Sequence, residues 1–340
     1  MSGAPLALFV GIESLELTPD EATFLRDANP CGVFLFSRNI ESPGQVRRLC
    51  TQIRETLGRA DAPIFIDQEG GRVQRLNNGN WPNFRSLGEF GALARKDLAL
   101  ARRAMWLSTR AMGAILADLT IDSGTTPVAD LARPGTHEVI GERAFGEDPE
   151  LVAVMAREVI DGMLEVGILP IVKHIPGYGR VAVDPHFDCP VVDASLAALR
   201  ATDFRPSVAL GDAPWAMVAH LVFTQIDPDR PASVSPLVYD LIRREIGYEG
   251  VLITDCLSME ALKGMPGERV AAALDAGCDI ALLTQGGLPA SAAAAKAARP
   301  LTAETQERIK RGERKRASLQ VDAAVLFAEV ERIFEENGLA

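Results

Sequence analysis

Residues 166–190 read Val166-Gly-Ile-Leu-Pro-Ile-Val-Lys173-His174-Ile-Pro-Gly-Tyr-Gly-Arg-Val-Ala-Val-Asp184-Pro185-His186-Phe-Asp-Cys-Pro190. The opening run is apolar and short, which predicts a strand buried on both faces, placed at Ile168–Lys173. Regular structure cannot continue beyond it, because Pro176, Gly177, Gly179, Pro185 and Pro190 interrupt the chain. The loop so formed holds Lys173, two of the four histidines (His174 and His186) and the pair Asp184 and His186. A buried strand that empties into a loop of ionisable groups is the pattern of an active-site rim.

Working outward, the same theme recurs: a short apolar run, a polar loop, then a segment of helical length. Strands are expected at Leu6–Gly11, Gly32–Phe36, Ala62–Asp67, Gly124–Val128, Ile168–Lys173, Trp215–His220, Val251–Asp255 and Ile280–Leu283. Helix starts between them carry capping chemistry, as in Thr18-Pro19 with Glu21 and Ser235-Pro236 before Leu237. These alternations predict an α/β fold, a (β/α)8 barrel of the TIM type, in a single domain covering residues 1–340. Residues from about 302 to 340 are expected as helices packed on its outside. A doubly wound open sheet is the alternative. No GxGxxG follows an early strand and no GxxxxGK[ST] occurs, so nucleotide binding has no support.

The formal charge of −11 argues against a nucleic-acid-binding surface, which needs basic clusters to neutralise phosphates. The one basic run, Lys310-Arg311-Gly-Glu-Arg314-Lys315-Arg316, reads as a solvated helix face. The apolar stretch Ala4–Ile12 is too short to span a bilayer and lacks a basic leader and a cleavage site, so it reads as a core strand. The five cysteines are scattered and form no CxxC pair, which indicates neither a disulfide framework nor a zinc site. The expectation is a cytoplasmic monomer that contacts no membrane.

In a barrel of this kind chemistry sits at the C-terminal ends of the strands. There the sequence places Asp67-Gln-Glu69-Gly-Gly-Arg72-Val-Gln-Arg75, Pro127-Val-Ala-Asp130, Glu142-Arg143, Lys173-His174, His220 and Thr254-Asp255-Cys256. Asp255 suits a helix N-cap, but a carboxylate at a strand end also suits attack on an anomeric carbon. Asp184 and His186 fit a surface turn fixed by Pro185. They also fit a dyad in which the carboxylate sets the tautomer and raises the pKa of a histidine that donates and recovers a proton. Asp67, Arg75, Arg143, Lys173 and His174 offer donors and acceptors for ring hydroxyls. Arg143 equally suits an ion pair with Glu142 or Asp148, and Lys173 a Schiff base. Glu69 and Arg72 are left between loop structure and binding.

With these motifs assembled, the chain resembles the β-N-acetylglucosaminidases of glycoside hydrolase family 3, and in particular the single-domain bacterial enzymes of peptidoglycan recycling. The likeness runs from about Gly32 to Gly286. It rests on Gly32-Val-Phe-Leu-Phe-Ser-Arg38-Asn39-Ile40, Asp67 through Arg75, Pro127 through Asp130, Ile140-Gly-Glu-Arg143-Ala-Phe-Gly-Glu-Asp-Pro149, Lys173 through Gly179 with Asp184-Pro-His186, and Thr254 through Glu260.

The resemblance implies Asp255 as nucleophile, His186 as acid/base and Asp184 as its partner, with Asp67, Arg75, Arg143, Lys173 and His174 binding N-acetylglucosamine. The implied reaction releases non-reducing-end β-linked N-acetylglucosamine from N-acetylglucosaminyl-(anhydro)muramyl peptides in the cytoplasm, with no metal or organic cofactor. Larger family members carry a second domain that supplies a carboxylic acid/base, so here the acid is expected from His186. Ile175 and Tyr178 stand where the family loop has Phe and a second His, Pro185 where it has Ser, and Thr254-Asp255-Cys256 where it has Ser-Asp-Asp. Transfer to phosphate, β-glucosidase or xylosidase specificity, and a catalytically silent sugar-binding barrel are the alternatives.

Overall fold

The computed structural model describes residues 3–181, 189–259 and 262–339. Seven strands pair, all parallel, into one curled sheet in the order Ile64–Ile66, Pro30–Leu35, Leu6–Gly11, Ile280–Leu283, Val251–Cys256, Trp215–Val218 and Ile171–Ile175. Parallel neighbours need a crossover, and helices supply it: Pro19–Ala28, Pro43–Leu57, Pro149–Glu165, Leu196–Ala201, Pro236–Arg244 and Pro266–Ala276 lie between successive strands, and Gly287–Ala297 follows the last. Their starts are built as the sequence suggests. Thr18 and Glu21 close a capping box, and the Ser235 hydroxyl accepts the Val238 N–H. Among the described residues no helix is long and apolar enough to cross a membrane.

Because strand side chains alternate between faces, every second residue enters the curl. At its N-terminal end those residues are Phe9, Phe65 and Trp215. Phe9 stacks on Phe65 at 4.6 Å, and Trp215 meets both rings edge-on at 6.3 and 5.3 Å. One step further along the same strands stand Asp67 and Met217. The aromatic plug is thus the floor of a polar cavity.

The strand expected at Gly124–Val128 is not regular. Thr125 takes φ 49° and Pro127 has no N–H, so only isolated pairings remain, Phe65 with Ser123 and Val128 with Lys173. The segment still bonds to both edges of the sheet. Ile66 N–H donates to Ser123 O and Gln68 N–H to Gly124 O, while Ile171 N–H donates to Thr126 O and Lys173 N–H to Pro127 O, at 2.9–3.0 Å.

The C-terminal helices Ala303–Glu313 and Ala323–Glu336 pack as expected, the second against helix Leu98–Asp118 and through Phe334 on Phe90. The basic run is largely exposed, as expected, but three of its side chains also hold carbonyls. Arg311 donates to Glu249 O, Lys315 to Asp212 O and Arg316 to Gly167 O, all just ahead of sheet strands. Arg308 pairs with the buried Asp279 at 2.6 Å. Positive charge here caps carbonyls and acids at the sheet's N-terminal end, which sequence periodicity alone does not reveal.

Candidate active site

The cavity above the aromatic plug encloses about 560 Å³ and is lined by Phe36, Asp67, Glu69, Arg75, Arg143, Lys173, His174, Tyr178, Met217, Asp255 and Cys256 among others. A larger cavity of about 720 Å³, bounded by Val222, Pro236, Leu262 and Arg269, shares no residue with it and has mainly apolar walls. The first is the candidate site because ionisable groups from five separate segments converge there.

Two strand irregularities shape it. Pairing with the Trp215 strand shifts between Lys173 and Ile175, and pairing of the Val251 strand with Ile280–Leu283 shifts between Ile253 and Cys256. A regular strand sends consecutive side chains to opposite faces, whereas an inserted residue re-aims one of them. That is how both Lys173 and His174, and both Asp255 and Cys256, come to face the cavity. The Lys173–His174 peptide is cis.

On the opposite wall, acids and bases alternate. Arg143 grips the Glu69 carboxylate with two hydrogen bonds of 2.7 and 2.8 Å, and Lys173 Nζ lies 2.5 Å from the same carboxylate. Lys173 also reaches Asp67 at 3.3 Å and donates to Thr125 Oγ1 at 3.1 Å. Asp67 accepts the Thr125 hydroxyl at 2.7 Å and the Arg75 guanidinium at 3.0 Å. Burial alone would raise the Asp67 carboxyl, yet Lys173, Arg75 and Thr125 hold it well below the usual range. Glu69 is likewise penalised by burial, but Arg143 and Lys173 outweigh this and bring it to about 2. Phe36 adds an apolar patch, flanked by the guanidinium groups of Arg38 and Arg75 at 5.0 and 5.8 Å.

Asp255 is half-buried at the end of its strand, where its Oδ1 accepts the Cys256 N–H at 2.7 Å. Burial works against ionisation, but His220, His174, that N–H and Lys173 together hold the carboxyl below its ordinary value. His220 is fully buried beside it, its Nε2 3.0 Å from Cys256 O and its Nδ1 2.6 Å from Ser233 Oγ. Burial pushes the imidazole pKa down despite Asp255, so this ring is neutral near pH 7.

Asp130 orders the loop with which the sequence reading began. It accepts from His174 Nδ1 at 2.7 Å and from the Tyr178 N–H at 2.8 Å, and is itself 1 % exposed. With a carboxylate at Nδ1, the His174 Nδ1 carries the proton. Tyr178 is buried, its ring 5.4 Å from that of His174. Gly179 packs so tightly that a Cβ there would meet Leu131 O at 2.2 Å.

The structure therefore brings together six of the expected residues: Asp67, Arg75, Arg143, Lys173, His174 and Asp255. Asp184 and His186 lie outside the described residues. Arg143 pairs with neither Glu142 nor Asp148 but with Glu69, across 74 residues of chain. Sequence reasoning left Glu69 undecided and gave no role to Thr125, Asp130 or Ser233. The one available signal was the Asp67-x-Glu69 spacing, which puts both acids on one face of an extended chain.

Residues 9–319 match the sequence family described as the glycosyl hydrolase family 3 N terminal domain. A β-hexosaminidase of Stenotrophomonas maltophilia is 40 % identical over 286 residues, covering 81 % of this chain and 82 % of that protein. A β-hexosaminidase of Alkalilimnicola ehrlichii is 39 % identical over 281 residues, covering 81 % and 80 %. Among solved structures, NagZ from Neisseria gonorrhoeae in complex with N-trifluoroacetyl-D-glucosamine superposes with a TM-score of 0.88 at 28 % identity, covering 97 % of this chain and 98 % of that one. A cavity rimmed by strand-end acids on a curled parallel sheet, and a family match across most of the sequence, lead to one assignment: the chain belongs to glycosyl hydrolase family 3 and is a glycoside hydrolase.

Proposed function

We propose that the protein is a retaining exo-β-N-acetylglucosaminidase that removes non-reducing-end β-1,4-linked N-acetylglucosamine from (anhydro)muropeptides during peptidoglycan recycling. The observation that carries this reading is Asp255, an ionised carboxylate at a strand end, facing a wall of buried, paired acids and bases. That wall suits a polyhydroxylated ring. Asp67 and the guanidinium of Arg75 offer acceptor and donor sites at fixed spacing, while Lys173 and His174 add two more polar heads. Arg143 acts on substrate through Glu69 and Lys173 or directly from the cavity wall.

In this mechanism an Asp255 oxygen bonds to the anomeric carbon as the glycosidic C–O bond breaks, and His186, supported by Asp184, gives its proton to the departing oxygen. The neutral imidazole then takes a proton from water. The resulting hydroxide bonds to the anomeric carbon, the ester to Asp255 breaks, and N-acetylglucosamine leaves with net retention. A carboxylate held below its ordinary pKa remains ionised for both attack and departure.

The same reading takes the fold as a closed (β/α)8 barrel in one catalytic domain. The segment 122–129, bonded to both edge strands, supports this by standing in the eighth position. We take the protein as a cytoplasmic monomer. The five free cysteines fit a reducing compartment.

Hydrolysis of a chromogenic 2-acetamido-β-glucoside, compared with the plain β-glucoside, tests the specificity. Mass spectrometry after reaction with a fluorinated N-acetylglucosaminide is expected to find the label on Asp255, and Asp255→Asn to lower kcat by about 10⁴-fold or more. A label elsewhere, product of inverted configuration, or turnover surviving in Asp255→Asn overturns the mechanism.

A further inference from the structure

Asp255 sits at a break in strand register, between the pairings of Thr254 with Val218 and of Cys256 with Leu282. Past Ile253 the regular pairing with Ile280–Leu283 breaks, and the Leu282 N–H, which a strand carbonyl would normally receive, goes instead to Thr254 Oγ1 at 3.0 Å. Cys256 Sγ rests on Thr284 Oγ1 at 3.0 Å. The bulge carrying Asp255 is therefore held in part by side chains, and the Cys256 carbonyl accepts from His220 Nε2 at 3.0 Å as well as from the Met259 N–H at 3.1 Å.

We infer that His220 is a positioning residue for the glycosidase reaction: by donating its Nε2 proton to the Cys256 carbonyl it holds the Asp255-Cys256 bulge, and with it the attacking carboxylate, in the geometry for reaction. The inference rests on the reading of Asp255 as nucleophile. His220 does not line the cavity, so it acts through its neighbour and not on substrate. A carbonyl only accepts, so the proton at this contact belongs to Nε2. Nδ1 must then receive the hydroxyl proton of Ser233, which is 0 % exposed. Ser233 is fixed in turn by the turn Ala232–Val234, whose Ser233 carbonyl accepts the Tyr239 hydroxyl at 3.2 Å. Charges that act on the ring include those of Asp255, His174 and Arg269. The imidazole secures the peptide through one donor, Nε2, and one acceptor, Nδ1.

The test separates the two ring nitrogens. Glutamine carries its amide to the place of Nε2, asparagine only to that of Nδ1. Kinetics with an aryl 2-acetamido-β-glucoside are measured for His220→Gln, His220→Asn and Ser233→Ala, each with its thermal unfolding, alongside Asp255→Asn. We expect His220→Asn to lose about 100-fold in kcat with KM changed less than about threefold, because binding groups sit on other strands. His220→Gln should recover at least about a tenth of wild-type kcat, and Ser233→Ala should lose about tenfold. If His220→Asn does not fold, the Ser233→Ala result decides: unchanged kcat overturns the inference. Equal kcat in the Gln and Asn variants, or a loss confined to KM, also overturns it. Turnover retained by Asp255→Asn sinks the nucleophile reading instead, so the two failures are distinct.

Discussion

Replacing Glu69 by glutamine removes one negative charge from between two buried cations while keeping the side chain's size. In the native protein this carboxylate is 2 % exposed, accepts two hydrogen bonds from Arg143 and lies 2.5 Å from Lys173 Nζ. Its pKa falls from the ordinary 4.5 to about 2 against the opposing cost of burial. At about 1.4 kcal/mol per tenfold change in proton affinity, the surroundings favour the ionised form by roughly 3 kcal/mol. Mutations that strand the partner of a buried ion pair cost about 3–5 kcal/mol, the same range. Urea unfolding of Glu69→Gln at pH 7 should therefore show a loss of about 3–5 kcal/mol relative to the wild type. The pH dependence gives a second readout. Because the folded value lies below the unfolded one, the unfolded chain takes up the proton first as pH falls. The stabilisation is complete above about pH 4.5 and drains away between there and about pH 2, and that part of the acid slope should vanish in the variant. The double variant with Lys173→Met should be less damaged than the sum of the single changes, by about 1 kcal/mol or more. A Glu69→Gln protein within about 0.5 kcal/mol of wild type would refute the reasoning, since that is the range of substitutions that touch nothing.

Gly179→Ala should lose at least about 2 kcal/mol in thermal or urea unfolding, because its Cβ would lie 2.2 Å from the backbone oxygen of Leu131. It should also lower turnover by shifting the segment that Asp130 anchors through the Tyr178 N–H. Full stability in this variant would show that the segment relaxes freely. Asp279→Asn, far from the cavity, removes a charge that accepts from Arg243, from Arg308 at 2.6 Å, from the Thr305 hydroxyl at 2.9 Å and from the Leu252 N–H at 2.8 Å. Unfolding should register a loss of about 3 kcal/mol or more, with KM of the folded fraction unchanged. A changed KM with intact stability would contradict the separation of the two ends of the sheet.

The strand-end groups were legible because their positions follow from local pattern. Apolar runs ending in Asp67, Lys173 and Asp255 announce both a buried strand and where it stops. The segment around Gly124–Val128 misled for a local reason too, since apolar content says nothing of the positive φ at Thr125. The basic run at 310–316 is largely exposed as its pattern implies, but its carbonyl partners at Gly167, Asp212 and Glu249 are encoded by no helical period.

By itself the sequence determined the alternation of strands and helices, the outward helices, the chemical family and the side chains at the strand ends, because each is written in spacing and residue type within a few positions. Only the tertiary structure decided how those groups are paired. Glu69 meets Arg143 from 74 residues away, His174 meets Asp130 from 44, and His220 meets the Cys256 carbonyl from 36. It also decided that Lys173 and His174 share one cavity, because a break in strand register turns two consecutive side chains the same way. Local sequence fixes which charges a site owns. Their protonation and aim depend on burial and on partners brought in by the fold, and those exist only once the sheet has curled.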